Sequence, residues 1–145
     1  MYKQILLAYN GSESGQKALL DCGEIAQWSG AKLFLVAVMP PPAAFVGGEG
    51  GVYDGRYEEE ERREYQAILD DGMRRLREGG RAVEGEVVVG DAVDAIAGMA
   101  RRIGADLIVV GHRHLDSWAA RWWRGSVSKS LIEHAPCSVL VVITR

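Results

Sequence analysis

GDAVDAIAGMARRIGADLIVVGHR, residues 90 to 113, decides how this chain folds. Its first part reads as a helix with Asp91 placed to cap the opening turn. Its second part contains DLIVVG (106 to 111), a short continuous run of β-branched and aliphatic residues. A strand that is apolar at successive positions suits a sheet covered on both faces, as parallel sheets are. A helix feeding directly into such a strand is part of a βαβ unit.

Working outward, the same alternation fills the chain. KQILLAY (3 to 9), KLFLVAV (32 to 38), EGEVVV (84 to 89) and CSVLVVI (137 to 143) are further strand-like runs. Between the first two, SESGQKALLDCGEIAQWSG places Ala18, Leu19, Cys22, Ile25 and Ala26 at helical spacing, with Ser12 or Ser14 as N-cap and Gly30 as stop. From Glu58 to Gly79 an apolar stripe of Tyr65, Ile68, Leu69, Gly72, Met73 and Leu76 predicts a second helix, and EEEERR (58 to 63) is its solvated, acidic start. SVSKSLIEHAP supplies the last helix, closed by Pro136. Strands and helices in strict alternation imply right-handed crossovers and a doubly wound α/β sheet. Residues 39 to 57, rich in proline and glycine, read as a long loop after the second strand.

At 145 residues, the chain is expected to form one domain, residues 1 to 145, burying roughly two thirds of the surface its unfolded form exposes. With 48% hydrophobic and 26% charged residues and a formal charge of −3, it has neither the composition of a disordered chain nor a bulk attraction to nucleic acid. No apolar run approaches the roughly 20 residues that span a bilayer, and the N-terminus lacks the marks of a signal peptide. The expectation is a cytoplasmic protein without membrane or nucleic-acid partners. Cys22 and Cys137 are expected to be two reduced core thiols.

In an open parallel sheet, ligands bind beyond the C-terminal strand ends where the winding reverses. That places AYNGSESG, after the first strand, and GHRHLDSWAARWWRGS (111 to 126), after the fourth, on either side of a crevice. The first turn is not a phosphate-binding P-loop: three residues separate Gly11 from Gly15, Gln16 follows Gly15, and Ala18 follows Lys17. The second turn ends in Gly125-Ser126 ahead of a helix whose first backbone N–H groups lack intrahelical partners, an end that attracts anions; the alternative is a tight turn and an N-cap only.

Three stretches together carry a family likeness: ILLAYNGSESGQKAL, VVVGDAVDAIAGMARRIGADLIVVGHR and GSVSKSLIEHAPCSVLVV. From end to end the chain resembles the universal stress protein family, small α/β proteins many of which bind ATP while others bind no nucleotide. The resemblance implies a single doubly wound, Rossmann-like five-stranded parallel sheet of order 3-2-1-4-5, with four helices on both faces.

Nucleotide-binding members carry a glycine, two residues, a second glycine, nine residues, then a glycine and a hydroxyl residue. Gly111 matches the first position and Gly125-Ser126 the last pair; His114 replaces the second glycine, and ten residues, Leu115 to Arg124, precede Gly125. Asn10 stands in place of the family's strand-one aspartate. His114 either fills the phosphate site or, protonated, adds a charged donor to it.

The resemblance further implies an adenine nucleotide (ATP, ADP or AMP), with or without Mg2+, whose base and ribose meet Ala8, Asn10 and Val38 with Val110 beneath. Its phosphates would meet Gly111, Gly125, Ser126 and Val127, and His112, Arg113 and His114, which follow Gly111, are counted among the nucleotide-binding residues. Ala8, Val38 and Val110 would also be apolar strand residues in any such fold. The function implied is that of a stress-response sensor or regulator with an unidentified protein partner. The alternative is a dimeric interaction module of the same fold that has lost the nucleotide.

No spacing of Ser, His, Asp or Cys suggests covalent catalysis, so no catalytic residue is assigned and at most a slow ATPase is expected. No metal site is assigned: His112 and His114 lack a third ligand, with Asp116 and His134 the nearest candidates. Trp118, Trp122 and Trp123 read as packing or lid residues, or else as a partner or dimer contact, rather than a nucleic-acid or membrane surface. Under the family's strand order, Cys137 to Ile143 is a long apolar edge strand, which predicts a homodimer through it.

Overall fold

The computed structural model describes residues 1–41, 55–113 and 127–144. Its elements run β1 (Gln4–Ala8), α1 (Glu13–Ser29), β2 (Lys32–Met39), α2 (Gly55–Glu78), β3 (Val83–Val89), α3 (Ala92–Ile103), β4 (Leu107–Arg113), α4 (Val127–His134) and β5 (Ser138–Thr144). The strands form a single parallel sheet in the order β3-β2-β1-β4-β5. The doubly wound α/β sheet expected from the sequence is what the chain builds.

Two cores sandwich the sheet. Ile5, Leu7, Leu33, Leu35, Leu107 and Val109 point to one face and pack with Ala18, Leu19 and Cys22 of α1 and Leu69 and Leu76 of α2. Leu6, Val36, Ile108 and Val110 point to the other, against Ile96, Met99 and Ala100 of α3 and Leu131 of α4. Residues alternate between faces along each strand, yet both faces are apolar, which is why the runs read as continuous. Each fully buried Leu or Ile removed from water contributes about 1.5–3 kcal/mol, so these two layers supply most of the driving force.

Helix ends follow their capping residues. Ser12, not Ser14, caps α1: its side chain accepts from the Gly15 N–H, and the Gly30 N–H closes the other end on Ala26. Asp91 caps α3 by accepting from the Asp94 N–H. Lys3 and Gln4 N–H groups both donate to the Asp106 carboxylate, at 2.8 and 3.1 Å, which aligns the starts of β1 and β4.

Three expectations need correction. Cys22 is fully buried, but Cys137 is only half-buried and precedes β5 rather than opening it, because an edge strand is covered on fewer sides than a central one. Burial pushes the Cys22 thiol up to about 12. The connection read as 39 to 57 is shorter, since Met39 completes β2 and α2 already begins at Gly55; residues 42–54 lie outside the described residues. His112 and Arg113, read as loop, are strand residues paired with Ile143 and Thr144.

Candidate functional site

Beyond the C-terminal ends of β1, β2 and β4 lies a crevice of about 240 Å³. It sits where β1 and β4 lead into helices on opposite faces of the sheet, α1 and α4, the point at which doubly wound sheets take their ligands. Ala8, Val36, Val38 and Val110 give it an aliphatic floor, and Ala92 and Ile96 of α3 continue that surface. Val127 and Ser128, in the first turn of α4, close one end. Of the residues singled out in the sequence, Ala8, Asn10, Val38, Val110, Gly111 and Val127 meet here.

Asn10 is held in one orientation. Its side-chain oxygen accepts from the Ser12 N–H at 3.1 Å and from the Ser12 hydroxyl at 2.6 Å. A backbone N–H can only donate, so the oxygen must face Ser12 and the amide nitrogen points away from that turn. At this position the chain offers a ligand N–H donors in place of a carboxylate.

Gly111 lines the crevice and also packs against α1. A Cβ built on it would collide with the Ser14 carbonyl and lie 2.7 Å from the Gly15 nitrogen. The close approach of β4 to the first turn of α1 therefore requires a glycine whether or not a phosphate binds. Next along β4, the half-buried His112 ring places Nδ1 3.4 Å from the hydroxyl of Ser128, itself 8% exposed. Arg113 is exposed beyond it. The first N–H groups of α4 lack intrahelical acceptors and present partial positive charge. Among the described residues the lining contains no carboxylate.

Two tyrosines complete the wall. Tyr9 is 3% exposed and its ring rests on α2 at Gly72, where a Cβ would stand 2.7 Å from the ring. Burial raises its hydroxyl pKa. Tyr65 of α2 is half-buried and reaches the crevice from the same side. Helical spacing places Tyr65 on the apolar stripe of α2 and carries no information on its position near the open end of the sheet.

His114, Gly125 and Ser126, together with Trp118, Trp122 and Trp123, lie outside the described residues. No group of three or more metal-ligating side chains occurs among the described residues. Nor is any described helix long and apolar enough to cross a membrane.

A larger opening of about 890 Å³ lies at the opposite, N-terminal ends of β1, β2 and β3. Arg81 in its wall donates to the Gly23 carbonyl and, at 2.9 Å, to Gln27. Its cationic group is thus engaged within the protein, and the smaller crevice holds the arrangement suited to a ligand.

The universal stress protein family model matches residues 1–142. The chain belongs to the universal stress protein family. A relative from Staphylococcus haemolyticus, named for that family, is 33% identical over 147 residues, covering 99% of this chain and 86% of the relative. Among solved structures, a universal stress family protein from Burkholderia pseudomallei superposes with a TM-score of 0.77 at 29% identity, covering 97% of this chain and 96% of that one. Another universal stress protein, solved in complex with cAMP, gives a TM-score of 0.74 at 26% identity, with 99% of each chain covered. The crevice described above is thus carried by a universal stress protein fold.

Proposed function

We propose that this universal stress protein binds an adenine nucleotide in the crevice between the ends of β1 and β4 and acts as a cytoplasmic sensor or regulator of a stress response. The observation that carries the proposal is the meeting of an aliphatic floor (Ala8, Val38, Val110) with the N-terminal turn of α4 in one crevice. The first suits a base and ribose, the second a phosphate. A universal stress protein of similar fold has been solved with cAMP, which supports the ligand class.

AMP or ADP is preferred over ATP in this proposal. With no carboxylate in the described lining, the residues do not fit a protein-held Mg2+. His112, Arg113 and Val127 are assigned to the phosphate side, with His114, Gly125 and Ser126 in the adjoining segment. Denaturing purified protein and chromatographing the released small molecules tests the assignment. AMP or ADP is expected, and stoichiometric ATP would overturn the preference.

A homodimer through β5 is part of the proposal. Among the described residues the strand pairs with β4 on one side only, and Ile143 is 54% exposed on it, with Ile132 of α4 at 66%. Such an edge is an aggregation hazard unless paired. Light scattering at micromolar concentration should give twice the chain mass; a monomer would remove this element.

A second reading is favoured by one observation: packing against Ser14 alone accounts for Gly111. It is an interaction module that keeps the fold and the dimer edge without the nucleotide. Titrating AMP, ADP and ATP separates the two, since the module binds none of them below millimolar concentration.

A further inference from the structure

We infer that Tyr65 of α2 recognises the base, its ring forming the aromatic wall of the crevice against which a flat heteroaromatic group packs. The inference rests on the nucleotide reading of the crevice and adds to it a residue from an element that the strand-end turns do not include.

The crevice draws its two walls from opposite faces of the sheet. Val38, Ala92 and Ile96 belong with the core under α3 and α4, whereas Tyr65 packs against the core under α1 and α2. The space between is therefore bordered by an aliphatic surface on one side and an aromatic residue on the other. Of the two tyrosines lining it, Tyr9 is 3% exposed and pressed onto Gly72, so its faces are used inside the protein. Tyr65 is half-buried, packs against the core and lines the crevice. A ring anchored in this way presents a π surface with little loss of freedom on binding. Stacking of a base on an aromatic side chain is sequence-tolerant and strong, so Tyr65 selects a planar base without choosing strongly among purines.

The test compares AMP with ribose 5-phosphate, which has the same phosphate and sugar but no base, by calorimetry on the full chain. Wild type should bind AMP more tightly than ribose 5-phosphate. Tyr65→Leu keeps an apolar side chain on the core but removes the π face. It should weaken AMP by roughly five- to a hundredfold while leaving ribose 5-phosphate within about twofold. Tyr65→Phe should retain wild-type AMP affinity within about twofold. Thermal unfolding of both variants confirms that they fold. Equal weakening of both ligands in Tyr65→Leu, or AMP binding unchanged by it, overturns the assignment. So does a loss in Tyr65→Phe as large as in Tyr65→Leu, because the hydroxyl and not the ring would then be responsible. Wild type that binds ribose 5-phosphate as tightly as AMP overturns base recognition alone and leaves the phosphate site standing. Wild type that binds neither overturns the nucleotide reading itself.

Discussion

Gly111 in the C-terminal half of β4 and Ser14 in the first turn of α1 touch backbone to backbone, leaving no room on Gly111 for a Cβ. This contact joins the two turns that border the crevice, so the geometry of the site and the packing of the fold depend on the same glycine. Gly111→Ala should destabilise the protein by about 2 kcal/mol or more, because the atoms it meets are backbone and cannot rotate aside. Urea unfolding measures this, and an unchanged midpoint would show that α1 can shift without penalty.

Ser12 connects the capping of α1 to the orientation of Asn10. Its hydroxyl accepts from the Gly15 N–H at 3.1 Å and donates to the Asn10 side-chain oxygen at 2.6 Å. Ser12→Ala should cost about 1 kcal/mol through loss of the cap. Ser12→Thr keeps both the capping acceptor and the hydroxyl donor to Asn10 and should recover most of that in thermal melts; equal losses in both variants would contradict a capping role.

Asn10→Asp is nearly isosteric, and a carboxylate accepts the Ser12 N–H and hydroxyl as the amide oxygen does. Stability should stay within about 0.5 kcal/mol of wild type. Ligand binding should change more, since donors are replaced by a negative charge at the crevice: AMP and ATP weaken in the absence of magnesium, and ATP recovers when magnesium is added. Calorimetry with and without the metal reads this out. Magnesium-dependent ATP binding in wild type would contradict the contrast.

The Cys22 side chain is fully buried, and burial lifts its pKa from the ordinary 9.0 to about 12. The folded-state value is raised above the unfolded one, so the thiol's contribution to stability is complete below pH 9.0 and is lost as pH climbs toward 12. Unfolding free energy should fall in that window by up to about 1.4 kcal/mol per pH unit from this group. Burial of the Tyr9 hydroxyl acts in the same direction. Cys22→Ala should flatten the dependence above pH 9, toward pH 12; an equally steep decline there would assign it elsewhere.

The alternation of strands and helices was legible because hydrophobic periodicity is local: KLFLVAV and DLIVVG are apolar at every position needed to cover both faces. Strand order came from the family resemblance, since periodicity says nothing of which strand lies beside which. His112 and Arg113 read as loop because the apolar run stops at Gly111, yet the ladder to β5 continues through their backbone, which pairs regardless of side chain. Cys137 read as core because CSVLVVI looks like an inner strand; only its place at the sheet edge exposes it. Six of the residues that the family resemblance implies for the site, Ala8, Asn10, Val38, Val110, Gly111 and Val127, line the crevice, because the C-terminal halves of β1, β2 and β4 converge on the start of α4. The place of Tyr65 in the crevice is not legible in the sequence, because helical spacing reports which face turns inward and not where along the sheet that face lies.

Titrating AMP into the wild-type chain by calorimetry, without added metal, addresses nucleotide binding most directly. Saturable binding of one AMP per chain, with a dissociation constant below about 1 mM, is the expected result. Heat indistinguishable from dilution across that range would contradict it and leave the interaction module as the function of this fold.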